Sequence, residues 1–332
     1  MSVPFSGVDW RPACSLQTAK LRADMLASAR AFFSDHDILE VDTPSLSEAA
    51  ISDPNIETIA VQLSADAKRQ YFLQTSPEFA MKRLLCAGWP DIYQICKVYR
   101  DGELGRRHQP EFTMIEWYRR GHSLQSMMEH TAEFIATMLC DAYPAKRIEY
   151  LSYAEAFERY TGLDPLTASI GEMRELSGAD PGLAKSLADD RDAWLDYLLE
   201  SRVARDFSKT GLTILHHYPA TQAALARLCE SDRRYADRFE IFAGELELAN
   251  GYYELANAGE QRRRMEEDQI KRSRVNAAQR PLDEKFLAAL EAGLPSCCGV
   301  AVGFDRLVML QAEHSRVQDV QSFAVVDTDD AG

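Results

Sequence analysis

A cationic segment that runs straight into a strict apolar–polar alternation, residues 100–118, most constrains the fold of this chain. The segment reads RDGELGRRHQPEFTMIEWY, and its last part alternates with a period of two. This period predicts a β-strand with Phe112, Met114, Glu116 and Tyr118 on one face and the intervening residues on the other. An exposed hairpin with surface charges would show the same alternation, so the pattern alone predicts a strand and no function.

The first face of this strand has an aromatic ring at one end and a carboxylate and a phenol at the other. At roughly 3.3 Å per residue the face spans about 20 Å, about the length of a nucleotide joined to an amino acid. The preceding loop supplies Arg100, Arg106, Arg107 and His108, and arginine forks suit phosphate oxygens. The segment therefore predicts a polyphosphate-binding loop beside a strand that holds the attached group.

Two later segments carry related chemistry. In GELELANGYYEL, Glu247 and Glu254 are an odd number of residues apart, so a regular strand would place them on opposite faces. A bulge at Asn250-Gly251 would return both to one face, where paired carboxylates bind Mg²⁺, although two exposed strand glutamates are the alternative. In GVAVGFDRL, Gly303 ends a strand of small residues before a helix. Such a junction can approach a phosphate closely, or it can be an ordinary buried one.

The order of elements along the chain predicts an α+β architecture. Strands and helices come in uneven groups, which favours a mostly antiparallel sheet within a single domain over 1–332. Residues from about 150 to 210 are rich in Ala, Leu, Asp and Glu at helical spacing, and they predict a helical insertion. His216 and His217 fall on a predicted strand and are expected to have structural roles.

The composition makes some classes of function less plausible. The chain has 37 Lys and Arg against 52 Asp and Glu, a net charge of −15, so most of its surface would repel a polyanion such as tRNA. It has neither a run of about 18 apolar residues for a membrane span nor an N-terminal signal peptide. Seven scattered cysteines without a CxxC pair predict free thiols in a reducing cytoplasm.

In this order along the chain, the segments resemble the catalytic domain of the class II aminoacyl-tRNA synthetases, closest to the lysyl branch. VDTPSL, with Pro44, is similar to motif 1, the cationic loop and its strand to motif 2, and GVAVGFDRL to motif 3. TSPEFAMKRLL and ELELANGYYEL are similar to lysine-specific stretches. The resemblance covers nearly the whole chain. It implies a class II catalytic fold, with an antiparallel β-sheet of six or seven strands flanked by helices.

One departure points to a particular branch. Lysyl-tRNA synthetases carry an N-terminal OB-fold that reads the anticodon, and Pro44 comes too early for such a domain. With the acidic charge, this favours the truncated paralogues, the elongation factor P–(R)-β-lysine ligases. That resemblance implies an amide-forming ligase that uses ATP and Mg²⁺, proceeds through an aminoacyl-adenylate and releases AMP and diphosphate. It also implies β-lysine as substrate, elongation factor P as acceptor, a cytoplasmic homodimer, and neither tRNA nor a membrane as partner.

The family's residue roles carry over position by position. The implied catalytic residues are Arg100, Glu247 and Arg306. Phe112 is expected to stack on one face of the adenine base and Arg306 on the other. The implied ATP-binding residues are Arg100, Asp101, Gly102, Arg107, His108, Gln109, Phe112, Glu247, Leu248, Gly303 and Arg306. The implied substrate-binding residues are Ser76, Pro77, Glu78, Glu116, Tyr118, Asn250, Glu254 and Ala301. Glu247 and Glu254 are the implied metal ligands.

Two positions differ from the family's usual motifs. Motif 2 usually reads Arg-x-Glu, whereas here the acid follows one place later, at Glu103, and Gly102 stands in its position. Motif 3 of lysyl-tRNA synthetases usually reads GLGIG, and here Ala301 replaces a glycine. An extra methyl group in a tight pocket changes selectivity by about 1–3 kcal/mol. Ala301 is therefore expected to disfavour α-lysine and to tolerate an amino group moved by one carbon.

Three other functions fit parts of the sequence. A tRNA-charging enzyme without an anticodon domain remains open. A catalytically silent scaffold is disfavoured by the intact set of Arg100, Phe112, Glu247, Glu254 and Arg306. An enzyme similar to asparagine synthetase, on the same fold, is disfavoured by the acidic residues expected around an ammonium group.

Overall fold

An eight-stranded sheet forms the centre of the protein in this computed structural model, which describes residues 10–140 and 147–325. The strands of this sheet and of a smaller one are β1 (Leu39–Glu40), β2 (Leu46–Ser47), β3 (Ala60–Leu63), β4 (Asp66–Leu73), β5 (Ile92–Tyr99), β6 (Glu111–Arg120), β7 (Ile148–Ser152), β8 (Leu212–Pro219), β9 (Tyr235–Ala243), β10 (Leu246–Tyr253) and β11 (Cys297–Gly303). The α-helices are α1 (Leu16–Asp35), α2 (Glu78–Cys86), α3 (Leu124–Leu139), α4 (Tyr153–Thr161), α5 (Ile170–Ser177), α6 (Pro181–Leu187), α7 (Arg191–Leu198), α8 (Ala258–Arg274), α9 (Glu284–Gly293) and α10 (Phe304–Gln311).

The strand order of the large sheet is β1-β5-β6-β11-β10-β9-β8-β7, and β2-β4-β3 form a second, antiparallel sheet. All pairings in the large sheet are antiparallel except the outermost two, β1 with β5 and β7 with β8. The predicted α+β class and mostly antiparallel sheet are confirmed. The expected six or seven strands are too few, because two short strands add parallel edges to the sheet.

Helices α4 to α7 fill the segment for which a helical insertion was expected, after the edge strand β7. Helices α4 and α5 each begin with a reciprocal capping box, at Ser152 and Ser169, and each ends at a glycine with left-handed backbone. Their apolar faces form a separate core that includes Trp194 and packs on Leu215 of β8 and Phe242 of β9. This segment therefore packs on the β7 edge of the large sheet.

The main core covers one face of the large sheet, where α1, α3 and α10 pack. Phe33 of α1 stacks on Tyr93 at 4.1 Å between ring centroids and on Phe134 of α3 at 5.2 Å. Ile115 and Trp117 of β6 are fully buried in this core. The alternation predicted for β6 is thus confirmed, and it leaves the opposite face of the strand for the site.

No helix in the described ranges combines the length and the apolar character that a membrane crossing requires.

Candidate active site

A cavity of about 400 Å³ lies on the face of the sheet opposite the main core. Its floor is formed by β6, β11 and β10, where Ala301 pairs with Glu116 on one side and with Asn250 on the other. The cavity brings together most of the residues that the sequence analysis assigned to ATP and substrate. Those that line it are Ser76, Glu78, Arg100, Arg107, His108, Gln109, Phe112, Glu116, Tyr118, Glu247, Leu248, Asn250, Glu254, Ala301, Gly303 and Arg306.

Three assigned residues lie outside this lining. The backbone N–H of Asp101 donates to the carbonyl of Glu57 at 2.9 Å, and this pairing leaves the Asp101 side chain exposed. Gly102 has a φ of 76°, a left-handed turn that favours glycine, and Glu103 lines the cavity in its place. Pro77 occupies the N-cap position of α2 and lines a smaller neighbouring cavity. The structure thus gives Gly102 a role in the backbone turn.

Acidic and hydroxyl groups line one end of the cavity. The Glu116 carboxylate accepts hydrogen bonds from the Ser76 and Tyr118 hydroxyls, both at 2.7 Å. Burial raises the pKa of Glu116 to about 7, and the charge of Glu78 adds to the rise, whereas the two hydroxyl bonds oppose it. A buried carboxylate of this kind gains from an added cation, since an ammonium partner offsets its lost hydration.

Lys82 of α2 lies at the same end and is fully buried. Its Nζ is 2.5 Å from Glu78 Oε1 and 2.5 Å from Glu254 Oε2. Burial lowers the pKa of Lys82, but the two carboxylates outweigh burial and hold the pKa above its usual value. Burial raises the pKa of Glu254 to about 8, against the opposing charge of Lys82. Together with Glu116, this end of the cavity has three carboxylates and one lysine. The excess of acidic groups favours a cationic ligand.

Gly299 of β11 lets the strand backbone pack closely against the acidic end. A Cβ atom at this position would lie 2.3 Å from Tyr118 Cε1 and 2.4 Å from Glu254 Oε1. Real Cβ atoms are not found at such distances, so a side chain here would displace both groups. The close approach of the β11 backbone therefore depends on glycine.

Cationic groups line the other end of the cavity. Arg100 Nε is buried without a hydrogen-bond partner among the described residues, and the guanidinium lies 5.2 Å from the centre of the Phe112 ring. Arg306 Nη1 donates to the Glu247 carbonyl at 2.7 Å, and Nη2 lies 2.7 Å from His108 Nε2. Burial lowers the pKa of His108, and the Arg306 charge lowers it further, so a neutral imidazole accepts from Arg306. Arg100 is thus the cation beside the Phe112 ring, and the predicted position of adenine between Phe112 and Arg306 stays a prediction.

The bulge expected in β10 exists, but it lies at Leu248. Glu247 pairs with Phe242 and Ala249 with Ile241, so Leu248 is the extra residue. The expected site, Asn250-Gly251, continues the regular pairing instead. Gly251 is needed there because a Cβ would lie 2.4 Å from the Phe239 ring. The bulge returns Glu247 to the cavity side, as the sequence analysis required.

Glu240 of β9 lines the cavity near Glu247. Burial raises the pKa of Glu240 to about 7; Arg238, 2.5 Å away, opposes this rise, and the charge of Glu247 adds to it. Glu254, the partner that the sequence analysis gave to Glu247, instead contacts Lys82 at the acidic end. The carboxylates of Glu247 and Glu240 therefore fit a hard divalent cation better than those of Glu247 and Glu254.

Comparison with known proteins identifies the family. Residues 5–327 match the family described as tRNA synthetases class II (D, K and N). A protein of Haemophilus ducreyi named elongation factor P–(R)-β-lysine ligase is 42% identical over 321 residues, which cover 96% of this chain and 97% of that protein. This chain belongs to the elongation factor P–(R)-β-lysine ligase family. Proteins of the same name from Avibacterium paragallinarum and Pasteurella multocida are 41% and 38% identical over 95% and 97% of this chain, and over 98% and 99% of their own lengths.

Membership in the β-lysine ligase family confirms the resemblance stated from the motifs. Lys82 and Glu240, two charged residues of the cavity region, were nevertheless among those not predicted from the sequence. Lys82 stands four residues after Glu78 in TSPEFAMKRLL, a spacing that predicts an ion pair on a helix. Glu240 precedes Glu247 by the same interval that separates Glu247 from Glu254. Both signals were present, but each is common on ordinary helices and strands.

Proposed function

We propose that this chain activates (R)-β-lysine with ATP and transfers the β-lysyl group to the ε-amino group of a lysine on elongation factor P. The observation that carries the proposal is one cavity with guanidinium groups of Arg100 and Arg306 at one end and carboxylates of Glu116 and Glu254 at the other. An adenylate of a diamino acid has the matching charges, since its phosphate is anionic and its two amino groups are cationic. The names of the relatives support the same substrate and acceptor.

In the proposed first step, the β-lysine carboxylate attacks the α-phosphate of ATP, a new P–O bond forms, and diphosphate leaves. Arg100 neutralises charge on the α-phosphate, and His108 and Arg107 lie where the outer phosphates would extend. Glu247 and Glu240 would hold Mg²⁺, which when bound supplies positive charge against the phosphates. Catalysis then consists mainly of positioning and charge neutralisation.

The proposed orientation of β-lysine follows from the acidic end. Glu116, Tyr118 and Glu254 hold the distal ammonium, and the nearer amino group faces Asn250. Asn250 Oδ1 is buried without a hydrogen-bond partner among the described residues, so it can accept from an ammonium. In the second step, the neutral acceptor amine attacks the adenylate carbonyl, an amide bond forms, and AMP leaves.

We expect Ala301 to set the choice between the two lysine isomers. Its methyl group lies on the cavity floor between Glu116 and Asn250. The Ala301→Gly variant should activate α-lysine at least about tenfold better than the parent, since one methyl group in a pocket changes selectivity by about 1–3 kcal/mol. Steady-state diphosphate exchange with α-lysine measures this, with β-lysine as the internal comparison. Unchanged α-lysine kinetics would show that Ala301 does not determine the selectivity between α-lysine and β-lysine.

The acceptor is tested by incubating the protein with ATP and radiolabelled (R)-β-lysine, and with either elongation factor P or total tRNA. The proposal predicts label on elongation factor P and none on tRNA, because the net charge of −15 repels a polyanion. Label on tRNA alone would instead support the tRNA-charging function that the sequence leaves open.

We further propose a cytoplasmic homodimer of a single catalytic domain, with residues 150–210 as a helical insertion. The seven cysteines, which are unpaired thiols, support a reducing compartment. The resemblance of VDTPSL to motif 1 supports the dimer. Sedimentation at several concentrations tests the oligomer, and a monomer throughout would contradict it.

A further inference from the structure

Three side chains of metal-ligand type converge outside the cavity that we assign to ATP and β-lysine. They are His217 on β8, Asp237 on β9 and Cys229 in the segment that joins these strands. Their ligand atoms all lie within 4.8 Å of one another, and no other group of three such residues does so in the described part of the chain. Cys229 and Asp237 are buried, and His217 is half-buried. The ligase chemistry that we propose does not use them.

The backbone of β8 departs from regular geometry where it presents His217. The pairing with β9 shifts between His216 and Tyr218, and His217 has a φ of 57°. A left-handed backbone is costly for a residue with a side chain, and it persists only where the surroundings hold it. Here it accompanies a bulge that places the His217 ring beside Cys229 and Asp237.

A second layer of groups supports these three side chains. His216 Nδ1 lies 2.5 Å from His217 Nδ1, which gives one nitrogen of the His217 ring a partner and leaves the other for a ligand. Arg227 Nε donates to Asp237 Oδ2 at 2.7 Å, while Asp237 Oδ1 lies 3.0 Å from Cys229 Sγ. Metal-bound imidazoles and carboxylates in proteins have outer partners of this kind, which fix the orientation of the ligands.

We propose that His217, Cys229 and Asp237 bind a zinc ion. The set of one nitrogen, one sulfur and one oxygen ligand suits Zn²⁺ and is unsuited to Mg²⁺, which takes oxygen ligands. A thiolate and a carboxylate balance the two charges of the ion, and the Arg227 guanidinium that donates to Asp237 is itself paired with Glu230 at 3.0 Å. Binding transfers the Cys229 thiol proton to solvent, and water completes the four-coordinate geometry.

The centre joins two strands and the segment between them, so a bound ion would cross-link these three elements. Cys229 and Arg227 belong to the segment 220–234 between β8 and β9. The Arg227 guanidinium lies 3.4 Å from the centre of the Tyr253 ring, and the Arg227 backbone N–H donates to the Tyr253 carbonyl at 2.9 Å. Since Tyr253 precedes Glu254, the ion would fasten this segment behind the acidic end of the cavity.

The test uses the purified full-length protein, stripped with a chelator and then dialysed against Co²⁺ or Zn²⁺. We expect about one ion per chain, and with Co²⁺ the near-ultraviolet charge-transfer band of a cobalt–thiolate bond. This band distinguishes the centre from any ion bound by the carboxylates of the cavity. Cys229→Ser and Asp237→Asn should each weaken zinc binding at least about tenfold, whereas the control Cys298→Ser, another buried thiol, should keep the band.

The unmodified protein alone can decide the matter, even if a variant fails to fold. No thiolate band in the cobalt-treated protein would overturn the proposal, and so would a band that survives in folded Cys229→Ser. This outcome is independent of the proposed ligase function, because metal content and absorption do not require β-lysine, ATP or elongation factor P.

Discussion

At the scale of single residues, the acidic end depends on charges that stabilise one another only as a set. Lys82 and Glu254 form an ion pair with side-chain exposures of 0% and 1%. A buried pair adds little net stability compared with apolar residues, but removing one partner leaves an uncompensated charge. Lys82 therefore has two roles. It neutralises the buried carboxylates that would otherwise destabilise the fold, and it holds Glu254 in place for the substrate.

We predict that Lys82→Met lowers the free energy of unfolding by about 3–5 kcal/mol at pH 8. The loss should be smaller at pH 6, because Glu254, whose pKa is raised to about 8, can then take up a proton. Lys285→Met is a matched control, since Lys285 also pairs with a glutamate but is 66% exposed, and its free energy of unfolding should hardly change. Urea denaturation measures both. An equal loss of unfolding free energy in the two variants would contradict the claim that burial makes Lys82 important.

The pH dependence of substrate binding follows from the same groups. Only ionised carboxylates attract an ammonium, and the pKa values of Glu116 and Glu254 are raised to about 7 and about 8. The KM for β-lysine should therefore fall as the pH rises from about 6 to about 8. Tyr118→Phe removes a hydrogen bond that lowers the Glu116 pKa, so its profile should move to higher pH. The exposed Tyr150→Phe should leave the profile in place, and a KM independent of pH would contradict this account.

At the scale of elements, strand pairing decides which side chains reach the cavity. The alternation in β6 predicted its two faces, because a strand's period of two is a local property of the sequence. The bulge in β10 was predicted at Asn250-Gly251, since that pair is typical of kinks, but it lies at Leu248. The glycine at 251 has a tertiary reason instead, because the Phe239 ring of β9 covers it. The local sequence around Gly251 does not predict this contact with a neighbouring strand.

We predict that Gly299→Ala abolishes use of β-lysine while leaving ATP binding in place. The new methyl group would overlap Tyr118 and Glu254, which belong to the acidic end alone. Diphosphate exchange should fall at least about a hundredfold, and ATP affinity, measured by calorimetry, should stay within about twofold. Gly171→Ala adds a methyl group to α5 at 3.7 Å from its nearest neighbour and should change neither quantity. Full activity in Gly299→Ala would contradict the close packing.

At the scale of the whole molecule, the site joins residues that are distant in sequence. The motifs predicted the fold class, and most of the residues assigned from them line one cavity. Lys82 and Glu240 were missed because their significance comes from partners on other elements, Glu254 for Lys82 and Glu247 for Glu240. Pairings of this kind depend on the sheet order, which the sequence analysis predicted only in outline.

The central claim is that one cavity holds a nucleotide at its cationic end and a diamino acid at its acidic end. Its most direct test is ATP–diphosphate exchange with (R)-β-lysine, (S)-β-lysine, α-lysine and norleucine, a similar chain without the distal ammonium. The account predicts exchange that is fastest with (R)-β-lysine and absent with norleucine. Exchange that norleucine supports as well as β-lysine does, or no exchange with any of the four, would contradict it.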